Sequence, residues 1–160
     1  MSIEIKRATI WSIETPNTPG AMTRTLKPLA ERGANLDLVM GYANPDKTTV
    51  TIEVFPVTTA KAQKAARETG FSKSDFPCLA VIGKNRPGIG RDISAALAEA
   101  AINVNFFVAQ VLGTQYVGLF SFEADSEANL AVRVLKKALQ NGSAKGGRAN
   151  ATGKKKTTKR

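Results

Sequence analysis

The segment NRPGIGRDISAALAEAAINV, residues 85–104, occurs a second time in this chain in related form. Residues 17–36, NTPGAMTRTLKPLAERGANL, align with it without a gap at an offset of 68 residues. The identical pairs are Asn17/Asn85, Pro19/Pro87, Gly20/Gly88, Leu29/Leu97, Ala30/Ala98, Glu31/Glu99 and Asn35/Asn103. Such a repeat in a chain of 160 residues predicts two small units that pack on each other or a chain that dimerises, because neither unit buries much surface alone.

Each copy reads as a turn, a helix and a strand. Asn and Pro-Gly favour the turn, apolar residues at helical spacing follow it, and the second Asn opens a β-like run. Pro28 inside the first of these helices predicts a kink or a late start, and Met22, Leu26 and Leu29 are expected on its inward face. The predicted strands are 2–6, 8–13, 36–42, 48–55, 77–82, 104–111 and 116–122, and the predicted helices end near residues 32, 68, 100 and 139.

The order of these elements is βαββα in each repeat, and the strand after the first repeat completes a βαββαβ unit. This predicts an α+β fold of two tandem ferredoxin-like βαββα(β) units, with antiparallel sheets and the helices on one face. The second repeat has no strand after its last helix. Its sheet edge either stays open or receives residues 2–6 or a strand from another copy of the chain.

The charge is concentrated at one end of the chain. Of 23 Lys and Arg residues, seven follow Gln140, and none of the 13 Asp and Glu residues does. The charge distribution sets apart a basic tail at 141–160 that is expected to be disordered. The repeat divides the rest of the chain into a first domain at 1–75 and a second at 76–140. The tail is either a solubilising segment or a contact for nucleic acid or an acidic partner, through Lys154, Lys155, Lys156, Lys159 and Arg160.

Composition excludes several kinds of site. The chain has no histidine, which removes the commonest general base and most zinc sites. Cys78 is its one cysteine, so neither an internal disulfide nor a cysteine cluster is expected. No segment resembles a signal peptide or a membrane span. We expect a cytoplasmic protein that is not an enzyme and that uses no cofactor, metal or membrane.

With its Asn-x-Pro-Gly turns, the helices after them and the Ile-Asn-Val exit, the chain resembles the ACT domain, a small-molecule sensing module of amino-acid metabolism. The second repeat is most similar to the serine-sensing ACT domain of phosphoglycerate dehydrogenases. The resemblance covers nearly all of residues 7–140, as two units in tandem. It implies an allosteric, non-catalytic regulator that binds a small amino acid at a domain or dimer interface, as a homodimer.

The resemblance also implies a set of ligand contacts. In that family the ligand lies between two paired domains, held by the first β-α loop and the start of the next strand. Carried over, the binding residues are Asn17, Gly20, Asn35, Asn85, Arg86, Gly88 and Asn103. An Asn amide both donates and accepts, and a helix start favours a carboxylate. The alternative is that these Asn residues only form turns and that Arg86 belongs to a solvated basic face.

The sequence departs from the serine-sensing pattern at three positions. Serine sensors place a His two residues before the loop Asn, where this chain has Gly83. Gly90 and Met22 stand where the family prefers Leu or Val. The ligand is therefore not restricted to serine, and binding by only one of the two halves is an open alternative.

Two other functions fit the sequence. One is a nucleic-acid-associated or protein-partner regulator that uses the basic tail, with the ACT units serving only for dimerisation. The other is an acylphosphatase-like enzyme on the same fold, which Arg86 and Asn103 match only loosely.

Overall fold

The structure, a computed structural model, describes residues 3–145. Its elements in chain order are β1 (Glu4–Ala8), β2 (Trp11–Pro16), α1 (Ala21–Glu31), β3 (Leu38–Ala43), β4 (Thr49–Phe55), α2 (Ala60–Thr69), β5 (Ser72–Lys73), β6 (Cys78–Lys84), α3 (Ile89–Glu99), β7 (Phe106–Leu112), β8 (Gln115–Ser121) and α4 (Asp125–Lys145).

The strands form two four-stranded antiparallel sheets. The first sheet has the order β3-β4-β2-β5, and the second has the order β1-β6-β8-β7. In both, the strand before the Asn-x-Pro-Gly turn lies at the centre and the strand after the following helix lies at an edge. The predicted α+β fold of two tandem ferredoxin-like units with antiparallel sheets is confirmed.

The N-terminal strand supplies the fourth strand of the second sheet. β1 pairs antiparallel with β6, from Glu4 opposite Ile82 to Ala8 opposite Cys78. Of the three alternatives for the missing strand, the one that uses the N-terminal segment is therefore correct within this chain. Residues 4–8 thus belong to the second sheet, although they precede the first repeat; the domain boundary after residue 75 stays a prediction.

The prediction that the strand after the first repeat completes the first sheet is wrong. β6 does not join the first sheet, whose fourth strand is the two-residue β5, paired with Trp11 and Ser12 of β2. A strand of two residues carries no hydrophobic period, so the sequence gives no signal for it.

Among residues 3–139, buried apolar side chains form three clusters, one under each helix pair and one between the sheets. α1 and α2 cover the first sheet around Trp11, Leu29 and Val54, whereas α3 and α4 cover the second around Leu79, Ile93 and Phe122. Because side chains alternate along a strand, each sheet has a second apolar face. These faces meet in a cluster of Ile10, Cys78, Ala80 and Leu119, with Leu38 and Phe55 packed against it.

Helix α1 differs from its predicted form. It begins directly after Gly20 and contains Pro28, so the late start is wrong. Met22, expected on the inward face, is 58% exposed, and the buried positions are Ala21, Thr25 and Leu29. The Thr25 hydroxyl donates to the Ala21 carbonyl, which satisfies this buried polar group.

The last helix, α4, extends to Lys145 and so includes the first five residues of the predicted tail. The rest of the predicted disordered tail, with Lys154 to Arg160, lies outside the described residues. No helix between residues 3 and 145 has the length and hydropathy needed to cross a membrane. In the same part of the chain, no three or more acidic, Cys or His side chains form a group able to hold a metal ion.

Candidate ligand-binding loops

The two Asn-x-Pro-Gly turns join a central strand to a helix in the same way. Gly20 and Gly88 are the N-caps of α1 and α3 and have left-handed φ angles of 83° and 81°. Side chains with a Cβ are strained in this region, which explains why Gly recurs. Neither glycine has a side chain that can accept from a helix N–H group. At the start of α2, by contrast, the Thr59 hydroxyl accepts from the Ala62 N–H at 3.1 Å. The first-turn N–H groups of α1 and α3 therefore have no side-chain cap and favour an anion.

The loop asparagines fasten each turn to a hairpin of their own sheet. The backbone N–H of Asn17 donates to the Thr48 carbonyl at 2.9 Å, and that of Asn85 donates to the Thr114 carbonyl at 2.8 Å. The Asn17 side chain also donates to the Lys47 carbonyl at 3.2 Å. The half-buried Asn85 side chain makes no hydrogen bond to residues 3–139. Of the two loop amides, that of Asn85 is the one left with its hydrogen-bonding groups free.

The strand-entry asparagines lie at the other end of their units. Asn103 precedes β7, which begins opposite Ser121, whereas Asn85 follows Lys84, which lies opposite Gln115 at the far end of the sheet. Helix α3 separates them by 11 residues, about 16 Å of helix. Asn17 and Asn35 are separated by α1 in the same way. Within one unit, the structure does not bring a loop Asn and a strand-entry Asn into one site; Asn35 and Asn103 are exposed.

The basic residues of the second loop are paired within it. Nη2 of Arg86 lies 2.6 Å from Oδ2 of Asp92, and Nη2 of Arg91 lies 2.9 Å from Oδ1. The Arg86–Asp92 contact is an ion pair rather than a well-aligned hydrogen bond. The buried Nη2 of Arg86 makes no hydrogen bond of good geometry within the described chain. Arg86 and Arg91 together hold the pKa of the Asp92 carboxyl below its ordinary value.

Arg24 in the first loop is a candidate that the sequence reading missed. Its guanidinium donates to the Thr18 hydroxyl at 2.7 Å and to the Pro19 carbonyl at 3.1 Å. No acidic side chain of the described region pairs with it, so the start of α1 carries an unneutralised positive charge. The only signal for this contact in the sequence is the position of Arg24 in the repeat, six residues after Thr18.

Gly83, which stands where serine sensors carry a His, is covered by the N-terminal segment. A Cβ on Gly83 would lie 2.7 Å from Cγ1 and 3.0 Å from Cα of Ile3. The second unit has therefore filled this space with the residue directly before β1, and a larger side chain there requires that segment to move.

The edge strand of each unit exposes apolar side chains. β7 has no charged residue over Phe106–Leu112, and Phe107, Val111 and Leu112 are exposed. β3, the equivalent edge of the first sheet, exposes Val39 and Tyr42. An uncharged, apolar edge strand is a surface that pairs with another strand.

Known proteins resemble this chain in structure but not in sequence. No protein-family model and no curated protein matches the sequence. The protein BT0572 from Bacteroides thetaiotaomicron is similar in structure, with a TM-score of 0.70, 17% identity and coverage of 83% of this chain and 89% of that one.

Two aspartate kinase structures are also similar. The ligand-free regulatory subunit from Thermus thermophilus has a TM-score of 0.59 at 17% identity, covering 86% of this chain and 97% of that chain. The aspartate kinase of Clostridium acetobutylicum has a TM-score of 0.58 at 18% identity, covering 88% of this chain and 34% of that chain. At these identities the likeness shows a shared fold.

Proposed function

We propose that this chain is a non-catalytic regulatory protein that binds a small amino acid at its Asn-x-Pro-Gly loops. The observation that carries the proposal is that α1 and α3 both start behind a left-handed Gly with no side-chain cap. Two independent copies of one uncapped helix start, each beside an Asn, fit a ligand carboxylate that accepts from the helix N–H groups.

The ammonium group of the ligand needs acceptors close to that carboxylate. The Asn85 carbonyl oxygen is available, because this side chain is not used within residues 3–139. The fold is also that of a protein whose name describes a regulatory subunit, the aspartate kinase subunit from Thermus thermophilus. That likeness supports regulation as the class of function, whereas the loops suggest the ligand.

A second copy of the chain completes the proposed site. Asn103 and Asn85 lie at opposite ends of the second unit, so one ligand reaches both only if two units are placed antiparallel. Pairing β7 with β7 of another copy around a two-fold axis has this geometry, because identical strands related in that way run antiparallel. It also covers Phe107 and Val111 and places Asn103 of one copy beside the Asn85 loop of the other.

Ligand binding and assembly then stabilise each other. A ligand held between two copies strengthens the dimer, and the dimer raises the affinity for the ligand by the same factor. We infer that the dimeric state, rather than any chemistry on the ligand, is what a partner protein recognises. The tail residues Lys154 to Arg160 are a further candidate contact for such a partner.

A thermal-shift screen against the twenty amino acids tests this proposal, with light scattering to measure the mass in solution. We expect one or a few amino acids to raise the melting temperature, and light scattering to give the mass of a dimer. The rise in melting temperature should be lost in Asn85→Ala and Asn103→Ala. Val111→Lys places a charge on the β7 edge and is expected to give a monomer that no longer responds to the ligand.

The matched control is Val39→Lys, which places the same charge on the equivalent edge of the first sheet. A dimer that survives Val111→Lys but not Val39→Lys would move the interface to β3. A protein that is monomeric and responds to no amino acid at millimolar concentration would overturn the proposal.

A further inference from the structure

The chain passes from one sheet to the other at two places within residues 3–145. Residues 9–10 lead from β1 in the second sheet to β2 in the first, and residues 74–77 lead from β5 in the first sheet to β6 in the second. A cleft of about 380 Å³ that is open to solvent lies between these segments and the start of α4, and we call it the crossover cavity. This volume is within the range of small-molecule sites, roughly 300–1,000 Å³.

The Arg7 guanidinium lines the crossover cavity and is held by residues at the start of α4, of which Asp125 also lines the cavity. Nη2 of Arg7 lies 2.8 Å from Oδ1 of Asp125 and 2.9 Å from Oδ1 of Asn129. A guanidinium has five N–H donors, and none of residues 3–139 accepts from Nε or Nη1 of Arg7. The ion pair with α4 fixes the group while leaving donors for a ligand.

Other lining residues of the crossover cavity supply acceptors. Asp75 is exposed and forms no ion pair or hydrogen bond with the described side chains, so its carboxylate is free. The Thr9 hydroxyl, which also lines the cavity, has no partner in the same part of the chain. The Phe76 ring is 47% exposed and offers an apolar contact that also favours a cation.

We propose that the crossover cavity binds a small zwitterion of the size of a free amino acid. Its carboxylate pairs with the free N–H groups of Arg7, its ammonium with Asp75, and its aliphatic part contacts Phe76. A guanidinium with free N–H groups and a free carboxylate line one cavity of this volume, so both charges of such a molecule have a partner, while Asp125 in the same lining is already paired with Arg7.

This site is separate from the Asn-x-Pro-Gly loops. Cys78 lines the crossover cavity at the first residue of β6, whereas Asn85 follows the last. Seven strand residues separate the two sites, which is about 23 Å. The inference therefore does not depend on the function proposed for the loops. Because both crossing segments line the cavity, an occupant also ties the two units together at their connection.

Nuclear magnetic resonance on the full chain tests the proposal, with backbone amides assigned and with glycine, L-serine, L-aspartate and L-lysine as probes. We expect saturable shifts of the amides at residues 7–9 and 74–78 with at least one probe. Asp75→Asn and Arg7→Lys are expected to weaken that binding about tenfold or more, because each removes one of the charge-assisted contacts. Both are conservative changes at exposed positions.

Two further variants make the result decisive. Asp46→Asn removes an equal charge from an exposed turn elsewhere and should leave these shifts unchanged. Asn85→Ala should also leave them unchanged, even where it abolishes binding at the loops. Shifts confined to residues 17–20 and 85–88 would overturn the crossover site while supporting the loop proposal. Shifts at the cavity that survive Asp75→Asn, or no shifts there at millimolar probe, would also overturn it.

Discussion

Arg24 and Asp92 occupy the same position in the two repeats, and each fastens the second residue of its own loop. Arg24 holds the Thr18 hydroxyl at 2.7 Å, and Asp92 holds Arg86 at 2.6 Å. Both halves thus have a side chain at this helix position that contacts the second loop residue, but that side chain is positive in the first half and negative in the second. The first loop keeps a guanidinium with no ion-pair partner in the described region, whereas the second has a carboxylate between two arginines. The two loops are therefore expected to bind a carboxylate with different strength, as the positive charge of Arg24 adds to the helix dipole.

The ion pairs of Asp92 predict a stability that depends on acid pH. Arg86 and Arg91 lower the pKa of this carboxyl in the folded protein, so ionised Asp92 stabilises the fold above its ordinary pKa of about 4 and this contribution is lost as pH falls through the lowered value. Asp92→Asn should lower the melting temperature at pH 7. Its difference from the unmodified chain should shrink as the pH falls below about 4.

Thermal unfolding between pH 2.5 and 7 measures this difference. Glu99→Gln removes one negative charge from the other end of α3 and serves as the control, since it leaves Arg86 paired. An Asp92→Asn deficit that stayed constant down to the lowest pH would show that the ion pairs contribute nothing measurable.

Gly83 and Ile3 predict how closely β1 is fitted to the second sheet. Gly83→Ala places a Cβ 2.7 Å from Cγ1 of Ile3, and it should destabilise the protein by about 1–3 kcal/mol, as overpacking does. Ile3→Ala removes Cγ1 but not the backbone, which would lie 3.0 Å away. The double variant should therefore recover only part of the loss, measured by urea unfolding as a double-mutant cycle.

Gly90→Ala is the control for that cycle. A Cβ on Gly90 meets no atom within 4 Å, and the residue lies inside α3. This change should stabilise the helix by about 0.5–1 kcal/mol. Equal effects of the two Gly→Ala changes would mean that β1 does not pack on Gly83 as described.

The sequence predicted the repeated architecture because its signal is local. Pro-Gly turns, helical spacing and β-branched runs each depend on neighbouring residues, so most helices and strands lie within two or three residues of their predicted bounds. Pairing between distant segments has no such signal. The place of β1 beside β6 is set by a ladder between residues 70 or more positions apart, and the two-residue β5 is set by its pairing with β2.

The candidate site was predicted in part for the same reason. The left-handed Gly20 and Gly88 follow from the Pro-Gly pairs. The inward face of α1 was misjudged because Thr25 is buried with its hydroxyl bonded to the helix backbone, and Met22 is left outside. The separation of Asn85 from Asn103 follows from strand order rather than from spacing, and no count of residues along the chain contains it.

Glu53 on β4 predicts a second pH dependence of opposite sign. Burial raises the pKa of this half-buried carboxyl, so the folded protein binds a proton more tightly than the unfolded chain. Stability from this group is present at low pH and is lost as pH rises from about 4 through the raised value. Glu53→Gln should therefore raise the stability at pH 7, by less than about 1 kcal/mol because the group is partly solvated.

Urea unfolding at pH 4 and pH 7 separates this effect from a simple change in packing. The gain from Glu53→Gln should be larger at pH 7 than at pH 4. Glu14→Gln, an exposed Glu on the neighbouring strand β2, is the control and should change little at either pH. A gain of the same size at both pH values would contradict a titrating Glu53.

Ala101 and Gly33 predict a matched pair of opposite effects at the ends of α3 and α1. Both residues have positive φ, 54° for Ala101 and 74° for Gly33, and both follow their helices at the same position of the repeat. The closing hydrogen bonds are also the same: Ile102 donates to the Leu97 carbonyl at 2.9 Å, and Ala34 donates to the Leu29 carbonyl at 3.0 Å. A side chain is strained in this conformation, and Gly is not.

Ala101→Gly should therefore stabilise the protein and Gly33→Ala should destabilise it, each by about 1 kcal/mol. A Cβ on Gly33 meets no atom within 4 Å, so its loss of stability would come from backbone strain alone. Urea unfolding of the two variants and of the double variant measures this, and the double variant should return close to the unmodified stability. If both changes destabilise, the two helix ends do not share a left-handed C-terminal turn.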